Sequence, residues 1–186
     1  TEYSIMCKNG SVLPVEINSS VVGGLEGKVT AFISVVRDIT DRKQAEAALY
    51  ESESKFRDLA EKSIAGVYII QDGIFQYVNR AAASMMGYET DEMIGKITPM
   101  DTTLPEDWPV VRESINKRLS GESDSSHYEF RIKTRKGEVK TIEVFSSRTV
   151  HKGKMAVIGT MLDITERKQS ENKIVEFLSQ IFPLFF

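Results

Sequence analysis

The chain has 186 residues, 41 % hydrophobic and 27 % charged, with a net charge of −3, the make-up of a folded soluble protein with room for one sizeable domain plus extras. That charge offers no overall attraction to nucleic acid, no apolar run approaches the ~20 residues of a membrane helix, and no signal-peptide pattern opens the chain. One cysteine, Cys7, and two histidines, His127 and His151, exclude an internal disulfide and a Cys-rich or His-rich metal site, and a reducing, cytoplasmic setting is expected.

The chain opens on Thr1 rather than Met, and it is therefore expected to be a fragment of a longer parent. Residues 1–40 read as the strands of a meander, with Lys8-Asn9-Gly10-Ser11 as a turn. A helix is expected from about Asp41 to Lys62. Gly66 to Ile70 is a short run of β-branched and aromatic residues; Asp72-Gly73 is a hairpin signal, and Ile74 to Val78 is the partner strand. Asn79 is a helix cap, and Ala81, Ala82, Ala83, Met85 and Met86 favour helix until Gly87. A short helix opens at Thr90-Asp91-Glu92 and ends at Gly95. Residues 97–109 read as irregular, punctuated by Pro99, Pro105 and Pro109. Val111, Ile115 and Leu119 recur at helical spacing, and Gly121 closes that helix.

The remainder reads as strands. Tyr128 to Lys133 alternates apolar and charged residues, Arg135 to Glu138 turns, and Val139 to Val150 is a long strand. His151 to Lys154 turns again, and Met155 to Leu162 is the last strand. The order β-β-α-α-α-β-β-β predicts an α+β fold, a five-stranded antiparallel sheet with helices on one face. A final helix covers 166–186, stopped by Pro183 beside the apolar Phe182, Leu184, Phe185 and Phe186.

A long-period repeat underlies this order. Asp38-Ile39-Thr40-Asp41-Arg42-Lys43-Gln44 returns 125 residues on as Asp163-Ile164-Thr165-Glu166-Arg167-Lys168-Gln169. Upstream, Val15-Glu16-Ile17-Asn18-Ser19-Ser20 returns as Ile142-Glu143-Val144-Phe145-Ser146-Ser147. The first copy holds only its last forty residues; the second is whole. Three strands without their helices leave one face bare, so residues 1–40 are expected to pack on a neighbouring chain or to be poorly ordered.

The words along the second copy resemble the PAS (sensory box) family. They are Asn79 with Ala81-Ala82, then Met86-Gly87-Tyr88, the helix end Glu92-Met93-Ile94-Gly95, Lys136-Gly137 in the late hairpin, and Asp163-Ile164-Thr165. Ser52 to Leu59 looks like the family's entry helix. The resemblance implies four segments: 1–40, the C-terminal part of a truncated PAS-like domain; 41–62, a linking helix; 54–165, a complete PAS domain; and 166–186, a C-terminal signalling helix. It further implies a non-catalytic sensory module, most often part of a histidine kinase, with an internal cavity that takes a small ligand or reports redox state. A ligand-free dimerisation and relay segment is the alternative.

Asp163 with Glu166 three residues later reads as a capping box, so the last strand passes straight into a helix. Asp38, Thr40, Asp163, Thr165 and Glu166 are the expected signal-transmitting residues. Ala45, Leu49, Ser52, Phe56 and Leu59 form a 4-3-4-3 seam, continued in phase by Ile174, Phe177 and Ile181. Coiled-coil-type flanking helices and a homodimer are expected from it, with a kinase or other output domain elsewhere in the parent and no nucleic-acid or membrane contact by this stretch.

Candidate cavity residues are Val67, Ile69, Tyr77, Met86, Ile115, Phe130, Val144 and Met161, although alternation alone does not fix the inward face. Arg80, Arg112 and Lys117 are candidate partners for an anion. The ligand stays unknown. A haem-binding relative would supply an axial His from the helical middle, and residues 79–121 hold none; covalent flavin photochemistry would need a Cys there, and Cys7 lies in the other copy. No nucleophile elbow, Walker loop, zinc signature or kinase glycine loop is present, so no catalytic residue is assigned.

Overall fold

The alternating apolar residues of the first forty positions pair into a three-stranded antiparallel sheet in the computed structural model, which describes residues 1–23 and 29–181. Two units are distinguished, Thr1–Asp58 and Leu59–Phe186. The expected end of the last helix at Pro183, with Phe182, Leu184, Phe185 and Phe186, lies outside the described residues, as does the Ile181 side chain.

In the first unit β1 (Glu2–Met6), β2 (Val12–Gly23) and β3 (Val29–Asp38) lie in the order β1-β2-β3. The β1–β2 turn closes on the Asn9 carboxamide, which accepts from the Ser11 N–H at 3.0 Å and the Ser11 hydroxyl at 2.7 Å, while Gly10 takes φ +82°. β1 pairs along its whole length, and β2 pairs with β3 from Val15 to Gly23. The described residues of β1, β2 and β3 are thus paired as a meander. Both of its faces carry exposed apolar residues, Val12, Ile33 and Val35 on one and Phe32 and Val36 on the other, while Val15 and Ile39 are buried. α1 (Thr40–Lys62) follows directly.

The second unit is a five-stranded antiparallel sheet of order β5-β4-β8-β7-β6, with β4 Gly66–Gln71, β5 Ile74–Val78, β6 Ser125–Lys133, β7 Val139–His151 and β8 Lys154–Asp163. Between β5 and β6 run α2 (Arg80–Met86), α3 (Thr90–Met93), α4 (Pro99–Thr102) and α5 (Trp108–Ser120). The core sits between sheet and helices, built from Tyr68, Ile70, Phe75, Met86, Met93, Val111, Ile115, Ile132, Val144 and Met161. α6 (Thr165–Ile181) leaves the end of β8.

Buried polar bonds fix how the helices meet the sheet. Asn79, fully buried, caps α2 by accepting from the Ala82 N–H at 2.9 Å, and it also accepts from the Val67 N–H at 2.9 Å. Its amide donates to the Ala60 and Ala65 carbonyls at 2.6 and 3.0 Å. One side chain thus joins the entry helix, β4 and α2. Gly87 ends α2 in the left-handed region, as its sequence position requires.

Two expectations change. Residues 97–109 are not irregular throughout: Pro99 sits at the first position of α4, where no N–H is needed, and Thr98 and Asp101 bond reciprocally. β6 begins three residues before Tyr128, because Ser125, Ser126 and His127 continue the ladder opposite Ser147, Ser146 and Phe145.

Candidate functional site

Two places in the second unit carry the functional question: the space inside the core and the corner where β8 becomes α6. The space lies among Tyr68, Ile70, Phe75, Met86, Ile115, Tyr128, Phe130, Val144 and Met161, and its volume is about 20 Å³. That is room for one water molecule, far below the ~300 Å³ of an ordinary ligand pocket.

Of the eight residues picked from the sequence, Met86, Ile115, Phe130, Val144 and Met161 line this space. Val67, Ile69 and Tyr77 do not; the inward residues of β4 and β5 are Tyr68, Ile70 and Phe75. The cause is a one-residue choice of face. Gly66 points inward, where a Cβ would meet Met161 Cγ at 2.5 Å and Ala82 Cα at 2.9 Å, and period 2 then turns Tyr68 and Ile70 inward. The β4–β5 ladder also slips between Ile69 and Ile70, which carries Phe75 to the core side.

The candidate anion partners lie elsewhere. Arg80 and Arg112 are exposed, and Lys117 pairs with Glu113 at 2.7 Å. The cation inside the fold is the next residue, Arg118, only 1 % exposed. Its Nη1 donates to the Ser114 hydroxyl at 2.7 Å and to the Ser126 hydroxyl. The stripe Val111, Ile115, Leu119 concealed it. The 4-3 stripe Val111, Ile115, Arg118 shares the same helix face, and that spacing was the available signal.

Burial raises the Tyr68 phenol above its ordinary pKa, and the nearby Tyr128 adds to this; Ser146 and the Arg118 charge act the other way and are outweighed. The phenol therefore stays a hydrogen-bond donor at neutral pH.

At the corner, the Asp163 carboxylate accepts from the Thr165 N–H at 3.0 Å and from the Thr165 hydroxyl at 2.5 Å. The Thr165 oxygen accepts in turn from the Thr141 N–H of β7 at 3.0 Å. The Ile164 N–H donates to the Thr141 carbonyl at 2.9 Å, and the Ile164 side chain is buried. Lys140 reaches Asp163 at 3.1 Å. On the first turns of α6, Lys168 meets Glu129 at 2.6 Å, and Arg167 lies 3.4 Å from Glu129 and 3.5 Å from Glu143. Burial pushes the Asp163 carboxyl up, but the Thr165 hydroxyl and amide and the Lys140 ammonium outweigh it and hold it below its ordinary value.

The expected capping box is thereby corrected. α6 starts at Thr165 with Ile164 in the cap position, because the Ile164 carbonyl accepts the Lys168 N–H at 2.9 Å. Asp163 therefore grips Thr165, two residues on, instead of the Glu166 N–H three residues on, and its other oxygen pairs with Lys140 on β7. Asp38 grips Thr40 in the same way, at 2.8 Å to the N–H and 2.6 Å to the hydroxyl. The seam residues Leu49, Phe56, Leu59, Ile174 and Phe177 are all between 59 % and 75 % exposed.

Comparison with known proteins agrees with this architecture. A family model described as the PAS fold matches residues 54–164, and one described as a PAS domain matches residues 1–41. The methyl sulfide methyltransferase-associated sensor of Methanosarcina acetivorans is 27 % identical over 94 % of this chain and 18 % of its own length. Sporulation kinase E of Bacillus subtilis is 25 % identical over 88 % of this chain and 22 % of its own length. The chain thus spans about a fifth of these relatives. The crystal structure of the PAS domain of an HTR-like protein from Haloarcula marismortui superposes with a TM-score of 0.53 at 26 % identity, covering 66 % of this chain and 99 % of that one. Among the described residues, no helix is long and apolar enough to cross a membrane.

Proposed function

The chain belongs to the PAS family, and on that premise we propose that it is a cytoplasmic relay module of a sensor protein, a histidine kinase, in which the second unit turns changes in its core into motion of α6. The observation that carries this reading is the corner. Thr141, Asp163, Thr165 and Lys140 form one bonded set between β7, β8 and α6, while Val144 and Met161, opposite one another on those same two strands, line the core space. A shift of β8 against β7 is then transmitted to the helix, because polar bonds with two fixed ends do not stretch freely. Residues 1–40 are read as the C-terminal part of a second PAS-like unit, with Asp38 and Thr40 as its transmitting pair.

The small core space favours a packed relay over a pocket for a large cofactor. The exposed seam on α1 and α6 supports pairing with a second copy of the chain, since five large apolar side chains lie uncovered at helical spacing.

A double-mutant cycle tests the relay. Met161→Ala and Thr165→Val, alone and together, are compared by urea unfolding. A coupling above about 0.5 kcal/mol supports transmission between core and corner; additive losses overturn it.

A further inference from the structure

His127 is a residue that the relay reading does not use. Tyr128 and Phe130 face the core, so His127 and Glu129 point from the outer face of β6. The His127 ring lies flat on that of Phe145, its neighbour across β7, with centroids 4.0 Å apart and planes 9° from parallel. Its Nε2 is 2.9 Å from Glu143 Oε1. An ionised carboxylate only accepts, so Nε2 carries the hydrogen and a second proton goes to Nδ1.

Glu143 is a shared partner. It stands directly opposite Glu129, and like charges so placed repel unless cations meet them. The cations come from α6. Arg167 Nη2 lies 3.4 Å from Glu129 Oε1 and 3.5 Å from Glu143 Oε2, and Lys168 Nζ lies 2.6 Å from Glu129 Oε2. Two carboxylates on the sheet thus hold two cations at the start of the helix. On α6 itself, Glu171 lies 3.9 Å from Arg167 Nε. The Glu143 side chain is only 13 % exposed, so charges beside it are weakly screened. The His127 bond, with the Arg167 and Lys168 charges behind it, outweighs burial and holds the Glu143 carboxyl below its ordinary range. Glu143 therefore stays charged across the pH range in which an imidazole changes its own charge.

We propose that His127 is a proton switch on the seat of α6. A proton on Nδ1 makes the ring a third cation beside two carboxylates. The ring is nearer to Glu143 than Arg167 is, 2.9 Å against 3.5 Å, and the aromatic face of Phe145 favours a cation held against it. The charged ring takes over Glu143, Arg167 keeps only Glu129 and Glu171, and the first turn of α6 is held less firmly to β7. Acid loosens the helix, and neutral pH seats it. This rests on the reading of α6 as the output helix and adds a condition under which its root gives.

The test is amide hydrogen exchange of the 186-residue chain at about pH 7.5 and about pH 5.5, which bracket the imidazole range. Rates are corrected for their intrinsic pH dependence, and the His127 Cε1–H resonance is titrated alongside. Protection of the Lys168 to Glu171 amides is expected to fall about threefold on acidification, the scale of one surface ion pair, and to follow the His127 titration. His127→Gln should show no such fall. Arg167→Gln should start low and fall no further. His151→Gln, changed at the end of β7, should respond as the parent does. His127 and Arg167 are exposed, so their variants keep the fold. Unchanged or rising protection in the parent overturns the proposal. So does a fall that persists in His127→Gln or Arg167→Gln, or one that vanishes in His151→Gln. The Met161–Thr165 coupling is measured at a single pH and stands or fails independently.

Discussion

The corners at Asp38 and Asp163 are built from nearly the same words, yet only the second has a core beside it. In both, an Asp carboxylate grips a Thr two residues on, and a buried Ile donates its N–H to the adjacent strand. In both, a glutamate on the far strand meets the Arg-Lys pair of the helix: Glu2 with Arg42 and Lys43, Glu129 with Arg167 and Lys168. The difference lies one strand away. Thr141 donates its N–H to Thr165, but the residue in its place is Pro14, which accepts from Ile39 and has no N–H to give. Lys140, which pairs with Asp163, is replaced by Leu13. The corner is therefore a local device that forms with or without a core, and tightness is added to it by the strand behind.

The widest gap between the two units, among the described residues, is the buried strap that Asn79 makes in the second. Asn79→Ala would leave the Val67 and Ala82 N–H groups and the Ala65 carbonyl without their Asn79 bonds, and the Ala60 carbonyl with only the Ser63 N–H at 3.3 Å, and should cost about 3 kcal/mol in urea unfolding. A loss under about 1 kcal/mol would show that water replaces the strap. The corners themselves give a smaller contrast. Thr165→Val removes the acceptor for Thr141 and the donor to Asp163, a loss of about 1 kcal/mol, visible as faster hydrogen exchange in the first turn of α6. Thr40→Val should cost about half as much, because Pro14 offers it nothing, and Thr141→Pro should bring the second corner down to the first. Equal losses would erase the distinction.

Acid gives the smallest effect. The Asp163 pKa in the folded chain is lower than its ordinary 3.8, so its contribution is complete above that value and fades as pH drops through the folded one. Between pH 5 and 3, Tm of the parent chain should fall more steeply than that of Asp163→Asn; parallel slopes would show that the carboxylate is not held.

Much of this was legible in advance for a physical reason. Turn residues and caps act locally, so Asp72-Gly73, Asn79, Gly87 and the doubled Asp-Ile-Thr words mark hairpins and helix ends wherever they fall. The inward face of β4 was not legible. Val67, Tyr68, Ile69 and Ile70 are all apolar, so period 2 has nothing to choose between; the choice was made by close approach at Gly66 and by the slip beside Ile69. Arg118 was hidden for the opposite reason, since a charge is ordinarily assigned to solvent. Its hydroxyl partners come from two elements, Ser114 on its own helix and Ser126 on a strand, so no single stretch of sequence displays them together.

Pro14 has a mechanical corollary. A rod rooted by fewer straps can swivel at its socket before the rest of the frame yields. We expect torque arriving at α1 from β3 to be partly absorbed in that looser seat, whereas torque arriving at α6 from β8 meets a clamped shaft and travels on along its length.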